Sequence, residues 1–381
     1  MKFVAKTLYG LEKVLAGELA SLGASGISAV NRAVVFEGDK YLMYRVNYCV
    51  RTALSVLMPI DEFRIRSKDD LYKRSSRMEW ERYLGPDDTF SVVPVVNSPH
   101  FDHSGYAGLV LKDSIADFFR KKTGRRPSVN TTDPSLVINL HISNDQVTIS
   151  LDSSVIPLFK RGYRKEQSVA PLNEVLAAGI LLISGWNGTS DLLDPMCGSG
   201  TFPIEAGLIA CNIPPGKFRK HFGFFSWKDY DEKLFEKVKD DCEKLKVVPA
   251  VRISGSDLSE KAIEQSKANI SEAGLNEIIT LNVSDFKDLR TAGSSEALFL
   301  NPPYGLRLQP EELDGLYGMI GSTLKHNFTG CAAWLITPNR ESLKHVGLKP
   351  KEKHVLFNGA LECTLLKYEL YQGTKKTDNI L

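Results

Sequence analysis

The segment LFLNPPYGLRL, residues 298–308, places an amide, two prolines and a tyrosine at the end of an apolar run. Proline fixes φ and has no backbone N–H, so Pro302 and Pro303 are predicted to end a buried strand near residue 301. Asn301 would then lie at the strand end with its amide facing outward, next to Tyr304. An amide and a ring in this position can hold a ligand by hydrogen bonding and stacking. The alternative is a proline turn that only terminates the strand.

The glycine loop in LLDPMCGSGTF, residues 192–202, is a second candidate site. Gly198 and Gly200 let the backbone approach a ligand closely, and free amides at the predicted helix start attract an anion. The loop is not a Walker loop, because no GK[ST] follows. It is not the G-x-G-x-x-G fingerprint either, because Pro203 stands at the third glycine position. A plain tight turn is the alternative. The predicted cofactor-binding residues here are Asp194, Pro195, Cys197, Gly198, Ser199, Gly200 and Thr201.

Two aspartates follow the next two predicted strands. Asp257, which precedes Leu258, ends ISGSD, where a carboxylate can accept hydrogen bonds from two ribose hydroxyls. Asp285 and Phe286 follow LNVS and suit an amino group and the face of an adenine. Either aspartate alone could instead be a helix N-cap. The insertion at 213–242 lengthens the gap before Asp257, and its aromatic, basic first half is predicted to contact substrate.

The elements that must position these residues are predicted from hydrophobic periodicity. In residues 171–381 strands alternate with helices, which implies a mostly parallel sheet closed by an antiparallel hairpin. Two smaller α/β units are predicted at 1–64 and 65–155, and a basic, irregular linker at 156–170. In the first unit, ALSVLMPI is read as a strand that its proline ends.

Composition describes an ordinary globular protein, with 43% hydrophobic and 25% charged residues and a net charge of +2. No apolar run approaches the roughly 20 residues that span a bilayer. Six cysteines without a CxxC pair predict a reducing, cytoplasmic location and no metal site. Basic clusters predict a phosphate-binding surface in the N-terminal half, with solvated faces as the alternative. These clusters are FRIRSK, YKRSSR, FRKKTGRR and FKRGYRK.

Three features together resemble the motifs of S-adenosylmethionine-dependent amino methyltransferases: the segment DPMCGSG, the acidic residue after the second strand, and the segment NPPYG. With KRGYR, APLNEVLAAGIL and NGALECTLLKY, they resemble more narrowly the bacterial ribosomal-RNA guanine-N2 methyltransferases of the RlmL type. The resemblance covers nearly the whole chain. It implies an α/β fold in which N-terminal ferredoxin-like and THUMP α/β domains precede a Rossmann-like class I methyltransferase domain. Asn173 stands where the family has lysine, and the second methyltransferase module of some relatives is expected to be absent.

The resemblance also implies roles for individual residues. S-adenosyl-L-methionine would be held by the glycine loop together with Asp257, Leu258, Asp285, Phe286 and Asn301. The catalytic residues would be Asn301, Pro302, Pro303 and Tyr304. The partner would be 23S ribosomal RNA or a large-subunit precursor, with no membrane and no metal. The basic residues expected to bind it are Arg120, Lys121, Lys122, Arg125, Arg126, Lys160 and Arg161.

Three other functions remain open at this stage. A methyltransferase that acts on adenine N6 in DNA is one alternative, because the NPPY motif does not distinguish this amine from guanine N2. A DNA enzyme would need a domain that reads the duplex. The small α/β units with scattered basic loops are better suited to folded RNA. A non-catalytic RNA-binding assembly factor is another, although decay would be expected to erode Asn301 or the glycines. A nicotinamide dehydrogenase is disfavoured, because the third glycine is missing. The sequence does not predict the oligomeric state.

Overall fold

The structure is a computed structural model that describes residues 1–165, 172–291, 296–304 and 309–371. Contacts divide the chain into two compact units. The first unit comprises Met1–Thr7, Leu15–Lys160 and Arg219–Asp240. The second unit comprises Leu8–Val14, Arg161–Phe218 and Asp241–Leu381. Residues 166–170 of the predicted linker, Pro171, Gly305 of the NPPYG motif and the tail from residue 372 lie outside the described residues.

The described residues contain the following elements. The strands are β1 Lys2–Thr7, β2 Ser25–Val30, β3 Ala33–Glu37, β4 Ala53–Arg64, β5 Thr89–Asn97, β6 Ser128–Val129, β7 Leu136–Ser143, β8 Gln146–Asp152, β9 Leu192–Asp194, β10 Ile253–Asp257, β11 Ile279–Val283, β12 Ala297–Leu300, β13 Ala332–Thr337, β14 Glu352–Asn358 and β15 Leu361–Glu369. The helices are α1 Glu12–Ser21, α2 Lys40–Cys49, α3 Lys68–Ser75, α4 Ser104–Thr123, α5 Glu174–Ile183, α6 Thr201–Ala210, α7 Glu232–Glu243, α8 Glu260–Glu272 and α9 Pro310–Asn327.

The first unit is built on one eight-stranded sheet in the order β2-β3-β1-β4-β8-β7-β5-β6. Strand β4 joins its two halves, because it pairs with β1 on one side and with β8 on the other. The prediction that Pro59 ends this strand is wrong. The strand continues to Arg64 through a register shift between Pro59 and Asp61, where a proline is tolerated. The predicted units 1–64 and 65–155 therefore share a sheet, and their boundary stays a prediction.

Three phenylalanines of the insertion belong to the core of the first unit. Phe222, Phe224 and Phe235 are 1%, 0% and 4% exposed. The rings of Phe224 and Phe235 lie 4.4 and 5.8 Å from the ring of Tyr44 in α2. The prediction that the first half of the insertion contacts substrate is therefore wrong for the rings of Phe222 and Phe224, because their apolar surface is already covered by protein.

The second unit is built on a seven-stranded sheet in the order β11-β10-β9-β12-β13-β15-β14. The first five strands in this order are parallel, whereas β15 runs antiparallel to β13 and forms a hairpin with β14. The predicted α/β fold with a Rossmann-like parallel sheet and a closing hairpin is confirmed. The strand order reverses at β9, and a crevice at such a switch point is where open α/β sheets bind ligands.

Within the described residues, none of the helices has the length and apolar character needed to cross a membrane. The same residues contain no group of three or more histidine, cysteine or acidic side chains that could hold a metal ion. All six cysteines lie within the described residues, and none of them forms a disulfide. The cytoplasmic location stays a prediction.

Candidate active site

Three adjacent strands of the second unit end in the polar residues singled out by the sequence. Asp194 is the last residue of β9, Asp257 is the last residue of β10, and Asn301 directly follows β12. Strand β9 pairs with β10 on one side and with β12 on the other. Because all three strands are parallel, their carboxyl ends meet at one edge of the sheet, and these three side chains are brought to that edge.

The glycine loop between β9 and α6 is tied to β10 by two hydrogen bonds. The Cys197 amide donates to the Ser256 carbonyl at 2.9 Å, and the Gly198 amide donates to Asp257 Oδ2 at 3.0 Å. Gly200 has φ of +84°, and a Cβ there would lie 2.3 Å from Ser266 Oγ. Only glycine fits this position, so the loop reaches the start of α6 without a side chain in the way.

Burial dominates the electrostatics of the loop. Asp194 is 2% exposed, and burial, with the neighbouring charge of Asp257, raises its pKa well above the ordinary value. Its Oδ1 accepts a hydrogen bond from the Met196 amide at 3.1 Å. Burial also raises the pKa of the Cys197 thiol, as do the two aspartates. The thiol therefore stays protonated and is unsuited to act as a nucleophile.

Asp257 uses both carboxylate oxygens to hold the backbone. Oδ1 accepts from the Ser259 amide at 2.9 Å, and Oδ2 accepts from the Gly198 amide. Each oxygen has a further lone pair, so the carboxylate can still accept hydrogen bonds from two hydroxyl groups. The adjacent Leu258 is 73% exposed, which leaves its side chain open to a ligand.

Asp285 and Phe286 have structural partners. Asp285 Oδ1 accepts from the Lys287 amide at 3.1 Å, and Lys287 Nζ lies 3.0 Å from Oδ2. The Lys287 ammonium group, and to a smaller extent the Lys287 amide, lower the pKa of Asp285, which caps a short 3-10 helix. Phe286 is 3% exposed and stacks on Phe328 with ring centroids 5.6 Å apart. The prediction that the Phe286 ring lies on an adenine is therefore wrong, because core residues cover the ring.

The NPPY motif follows β12 as predicted. The Asn301 Oδ1 atom is buried and has no hydrogen-bond partner among the described residues. Pro302 is buried and Pro303 is exposed. The Tyr304 hydroxyl accepts a hydrogen bond from Asn358 Nδ2 at 3.2 Å, and burial raises the pKa of this phenol. Tyr304 is therefore neutral and held at its tip, whereas the Asn301 acceptor is unused.

Arg164 is a site residue that the sequence does not single out, because the basic, irregular pattern of residues 156–170 predicts only a linker. Its guanidinium donates to Ser199 Oγ at 2.8 Å and to Thr201 Oγ1 at 2.9 Å, on both sides of Gly200. Its Nε donates to Glu174 Oε1 at 2.9 Å, and both side chains of this pair are 9% exposed. Arg164 thus fixes the glycine loop to α5. Arg164 is 35 and 37 residues away from these two hydroxyl groups in the sequence, so residue spacing does not predict the contact.

Arg161 is buried, contrary to the prediction that it binds RNA. It is 2% exposed, and its Nε and Nη2 atoms lie 3.3 Å from the two carboxylate oxygens of Glu205 in α6. The Tyr163 hydroxyl donates to the same carboxylate at 3.0 Å. The assignment of Arg161 to an RNA-binding surface is therefore corrected: the guanidinium is buried and paired with Glu205 inside the second unit.

Asn173, the position at which the resemblance implies a lysine, caps α5. Its Oδ1 accepts from the amides of Val175 and Leu176 at 2.9 and 3.3 Å. Its own backbone amide donates to Asn358 Oδ1 at 3.2 Å. The contact to Asn358 uses the backbone, so it does not depend on which side chain occupies position 173.

The basic residues at the end of α4 are all exposed, but they differ in their partners. Arg120 pairs with Asp117, Lys122 with Glu81 and Arg125 with Asp87. Lys121, Arg126 and Lys160 have no ion-pair partner among the described residues.

In the first unit, α3 and α4 border a cavity of about 460 Å³. Its lining includes Lys68, Tyr72, Tyr106, Arg120 and Arg126.

Comparison with known proteins places the chain in a family. Residues 161–367 match the RMKL-like methyltransferase domain, residues 66–152 match the THUMP domain, and residues 2–57 match the RlmL ferredoxin-like domain. The chain is 36% identical to "Putative RNA methyltransferase slr0064" of Synechocystis sp., with 97% of each chain covered. It is 37% identical to the ribosomal RNA large subunit methyltransferase K/L of Syntrophotalea carbinolica, with 97% of this chain and 54% of that protein covered. It thus spans about half the length of that relative.

Solved structures agree with this assignment. SMU.472, described as "a putative methyltransferase complexed with SAH", is 29% identical with a TM-score of 0.87, and the match covers 98% of this chain and 99% of that one. A structure from Listeria monocytogenes, described as "a predicted N6-adenine-specific DNA methylase", is 30% identical with a TM-score of 0.87, covering 97% and 96%. The chain therefore belongs to the RMKL-like methyltransferase family and carries THUMP and RlmL ferredoxin-like domains.

Proposed function

We propose that this protein methylates an exocyclic amino group of a base in RNA, with guanine N2 of 23S ribosomal RNA as the target. The observation that carries the proposal is the Asn301 Oδ1 atom, which is buried without a hydrogen-bond partner among the described residues. A buried acceptor left unsatisfied costs about 1–3 kcal/mol. An N–H group of a bound amine would remove this cost, so the position is suited to an amine ligand.

S-adenosyl-L-methionine is the cofactor that the residues at the strand ends fit. The buried Asp194 carboxylate favours a positively charged ligand, because a counter-charge offsets the cost of its own burial. The glycine loop offers backbone without side chains, and Asp257 offers acceptors to ribose hydroxyls. These residues would hold the cofactor, which supplies an electrophilic methyl group when bound.

The role of the chain in methyl transfer is to align the amine. The lone pair of an amino nitrogen on a purine is delocalised into the ring, so the nitrogen is a weak nucleophile. Asn301 Oδ1 and the Pro302 carbonyl would accept its two N–H bonds and turn the lone pair toward the methyl group. Near-attack alignment of this kind can supply on the order of 7–11 kcal/mol. The methylated nitrogen then loses its extra proton to water, and no strong base is required.

Tyr304 would stack on the extruded base. Extrusion of a nucleotide costs a few kcal/mol, and one aromatic stack returns roughly 1–3 kcal/mol. The two quantities are similar, so a single ring can offset much of the cost. Because burial raises the pKa of Tyr304, its hydroxyl is neutral and the ring acts as a surface rather than as a proton acceptor.

RNA is favoured over DNA by the N-terminal half. The THUMP domain at 66–152 carries the exposed Lys121 and Arg126, which suit the phosphates of folded RNA. Methylation of adenine N6 in DNA is the alternative, and the similarity to the Listeria protein described as a DNA methylase is the observation in its favour. Methyl transfer to RNA but not to DNA would decide between them.

Replacement of Asn301 tests the proposal directly. Asn301→Ala removes the acceptor, and we expect methyl transfer to fall at least 100-fold, similar to the loss of one preorganised hydrogen bond in other active sites. Asn301→Asp keeps an acceptor oxygen at the same position and should retain more activity. The assay is transfer of labelled methyl from S-adenosylmethionine to ribosomal RNA from a deletion strain. Calorimetry should give cofactor affinities within a few fold of wild type.

Near-wild-type transfer by Asn301→Ala would refute the role given to this amide. Binding of S-adenosylmethionine without transfer to any RNA or DNA would instead favour a non-catalytic assembly factor. Mass spectrometry of ribosomal RNA from the deletion strain identifies the target. The expected result is the loss of one N2-methylguanosine in 23S ribosomal RNA.

A further inference from the structure

The hairpin of β14 and β15 contributes an asparagine to the NPPY motif. Asn358 ends β14, and its amide lies between Tyr304 and the start of α5. Asn358 Nδ2 donates to the Tyr304 hydroxyl at 3.2 Å, and Asn358 Oδ1 accepts from the Asn173 backbone amide at 3.2 Å. One side chain thus connects the tyrosine to a helix N-terminus elsewhere in the second unit.

The orientation of this amide follows from its partners. A backbone N–H can only donate, so the Asn173 amide must face the Asn358 oxygen. The Asn358 NH2 group must then face Tyr304, whose oxygen accepts. The hydroxyl proton of Tyr304 remains available for a second bond. Tyr304 is therefore held at its tip by Asn358.

We infer that Asn358 is a positioning residue, which holds the Tyr304 ring in the orientation that stacks on the target base. The inference rests on the proposed function. The 3.2 Å hydrogen bond from Asn358 Nδ2 fixes the position of the Tyr304 hydroxyl and so limits rotation of the ring. A ring tied at its tip loses less conformational freedom when a base binds, because its rotamer is already selected.

Asn173 supports the same connection from the other end. Its side chain caps α5 through the amides of Val175 and Leu176, which fixes the direction of its own N–H toward Asn358. The β14–β15 turn holds the other partner, since Asn358 and Leu361 face each other in the hairpin register. Asn358 is thus bounded by a capped helix and a short turn, and both are rigid supports.

A double-mutant cycle tests the inference. Tyr304→Phe removes the hydroxyl and keeps the ring, whereas Asn358→Ala removes the group that holds it. We expect each variant to lower the single-turnover rate of methyl transfer about three- to tenfold, the range of one lost hydrogen bond. The double variant should lose no more than the worse single variant, because both remove the same interaction. Cofactor affinity should stay near wild type in all three variants, whereas the two variants that carry Asn358→Ala should also unfold at a lower temperature, because they remove the acceptor of the Asn173 backbone amide.

Leu361→Ala is the matched control. Leu361 lies opposite Asn358 in the same hairpin and is 45% exposed, so its loss perturbs the hairpin without touching Tyr304. It should transfer methyl groups within twofold of wild type. The inference would be overturned if the rate of the double variant fell by the product of the two single effects, because the two substitutions would then act independently. A wild-type rate in Asn358→Ala would also overturn it.

A second measurement does not depend on the substrate. In protein labelled with ¹³C in the rings of its 13 tyrosines, Tyr304 is assigned by its missing signal in Tyr304→Phe. We expect Asn358→Ala to shift and sharpen this signal, because the ring is released, and Leu361→Ala to leave it in place. An unchanged signal in Asn358→Ala would show that the hydrogen bond from Asn358 does not hold the Tyr304 ring. If wild-type protein transfers no methyl group to RNA or DNA, but Asn358→Ala still shifts the Tyr304 signal, the proposed function is wrong while Asn358 does hold the Tyr304 ring.

Discussion

The substitution Arg161→Met removes a buried charge next to the active-site strands. Arg161 and Glu205 have side chains that are 1% and 0% exposed, and the guanidinium contacts both carboxylate oxygens. Methionine has a similar length and no charge, so it fills much of the same space. What remains is a Glu205 carboxylate in a dry environment, with the Tyr163 hydroxyl at 3.0 Å.

The loss is set by the uncompensated carboxylate. Removal of one partner of a buried ion pair costs about 3–5 kcal/mol. A direct Coulomb estimate agrees, since two charges about 4 Å apart attract by about 4 kcal/mol at an effective dielectric constant of about 20. We therefore expect the free energy of unfolding to fall by about 3–5 kcal/mol. A second substitution, Glu205→Gln, removes the stranded charge and should restore part of this loss.

Urea unfolding followed by circular dichroism measures this change in Arg161→Met, in the double variant and in wild type. Lys160→Met is the matched control, because Lys160 is the preceding basic residue and is exposed. We expect its unfolding curve to overlay that of wild type. Ribosomal RNA binding over a salt series completes the test: Arg161→Met should leave the salt slope unchanged, because a buried arginine contacts no phosphate.

The reasoning would be refuted by the opposite pattern. If Arg161→Met lowers the unfolding free energy by less than about 1 kcal/mol, the pair is not the stabilising contact that its burial implies. If it also weakens RNA binding and flattens the salt dependence, Arg161 lies on the RNA-binding surface after all. If Glu205→Gln restores nothing in the double variant, the loss comes from packing and not from the stranded carboxylate.

Two further predictions concern charge elsewhere in the chain. Burial raises the pKa of Asp194, so stability falls as pH rises above the unfolded-state pKa of about 4, and the loss is complete once pH exceeds the raised pKa of the folded state. Asp194→Asn should therefore raise the free energy of unfolding at pH 8 by on the order of 1–3 kcal/mol, with a gain that shrinks as pH falls. Equal stability of the variant and wild type at pH 8 would contradict this. The pair Lys121→Ala and Arg126→Ala should weaken RNA binding and reduce the salt slope by about 1.4, at ~0.7 for each lost phosphate contact. Lys122→Ala should reduce the salt slope by less than the ~0.7 expected for one lost phosphate contact, because Lys122 already pairs with Glu81. A reduction of about 0.7 in this variant would show that the ion pair does not keep Lys122 from phosphate.

Local patterns were sufficient to predict the sheet of the second unit and the residues at its edge. Prolines after an apolar run end a strand because they lack a donor, which places Asn301 directly after β12. The glycines of the loop are required by backbone geometry at Gly200, and this requirement is local as well. Strands that alternate with helices imply parallel pairing, so the carboxyl ends of β9, β10 and β12 had to meet.

Only the tertiary structure decided which side chains are buried and which distant groups they contact. Arg161 and Lys160 are adjacent basic residues in the sequence, but packing buries one and leaves the other exposed. Phe286 follows a strand end yet faces the core, and Asn358 reaches Tyr304 from 54 residues away. Periodicity records which face of an element is apolar, whereas burial and long-range hydrogen bonds depend on which elements pack together.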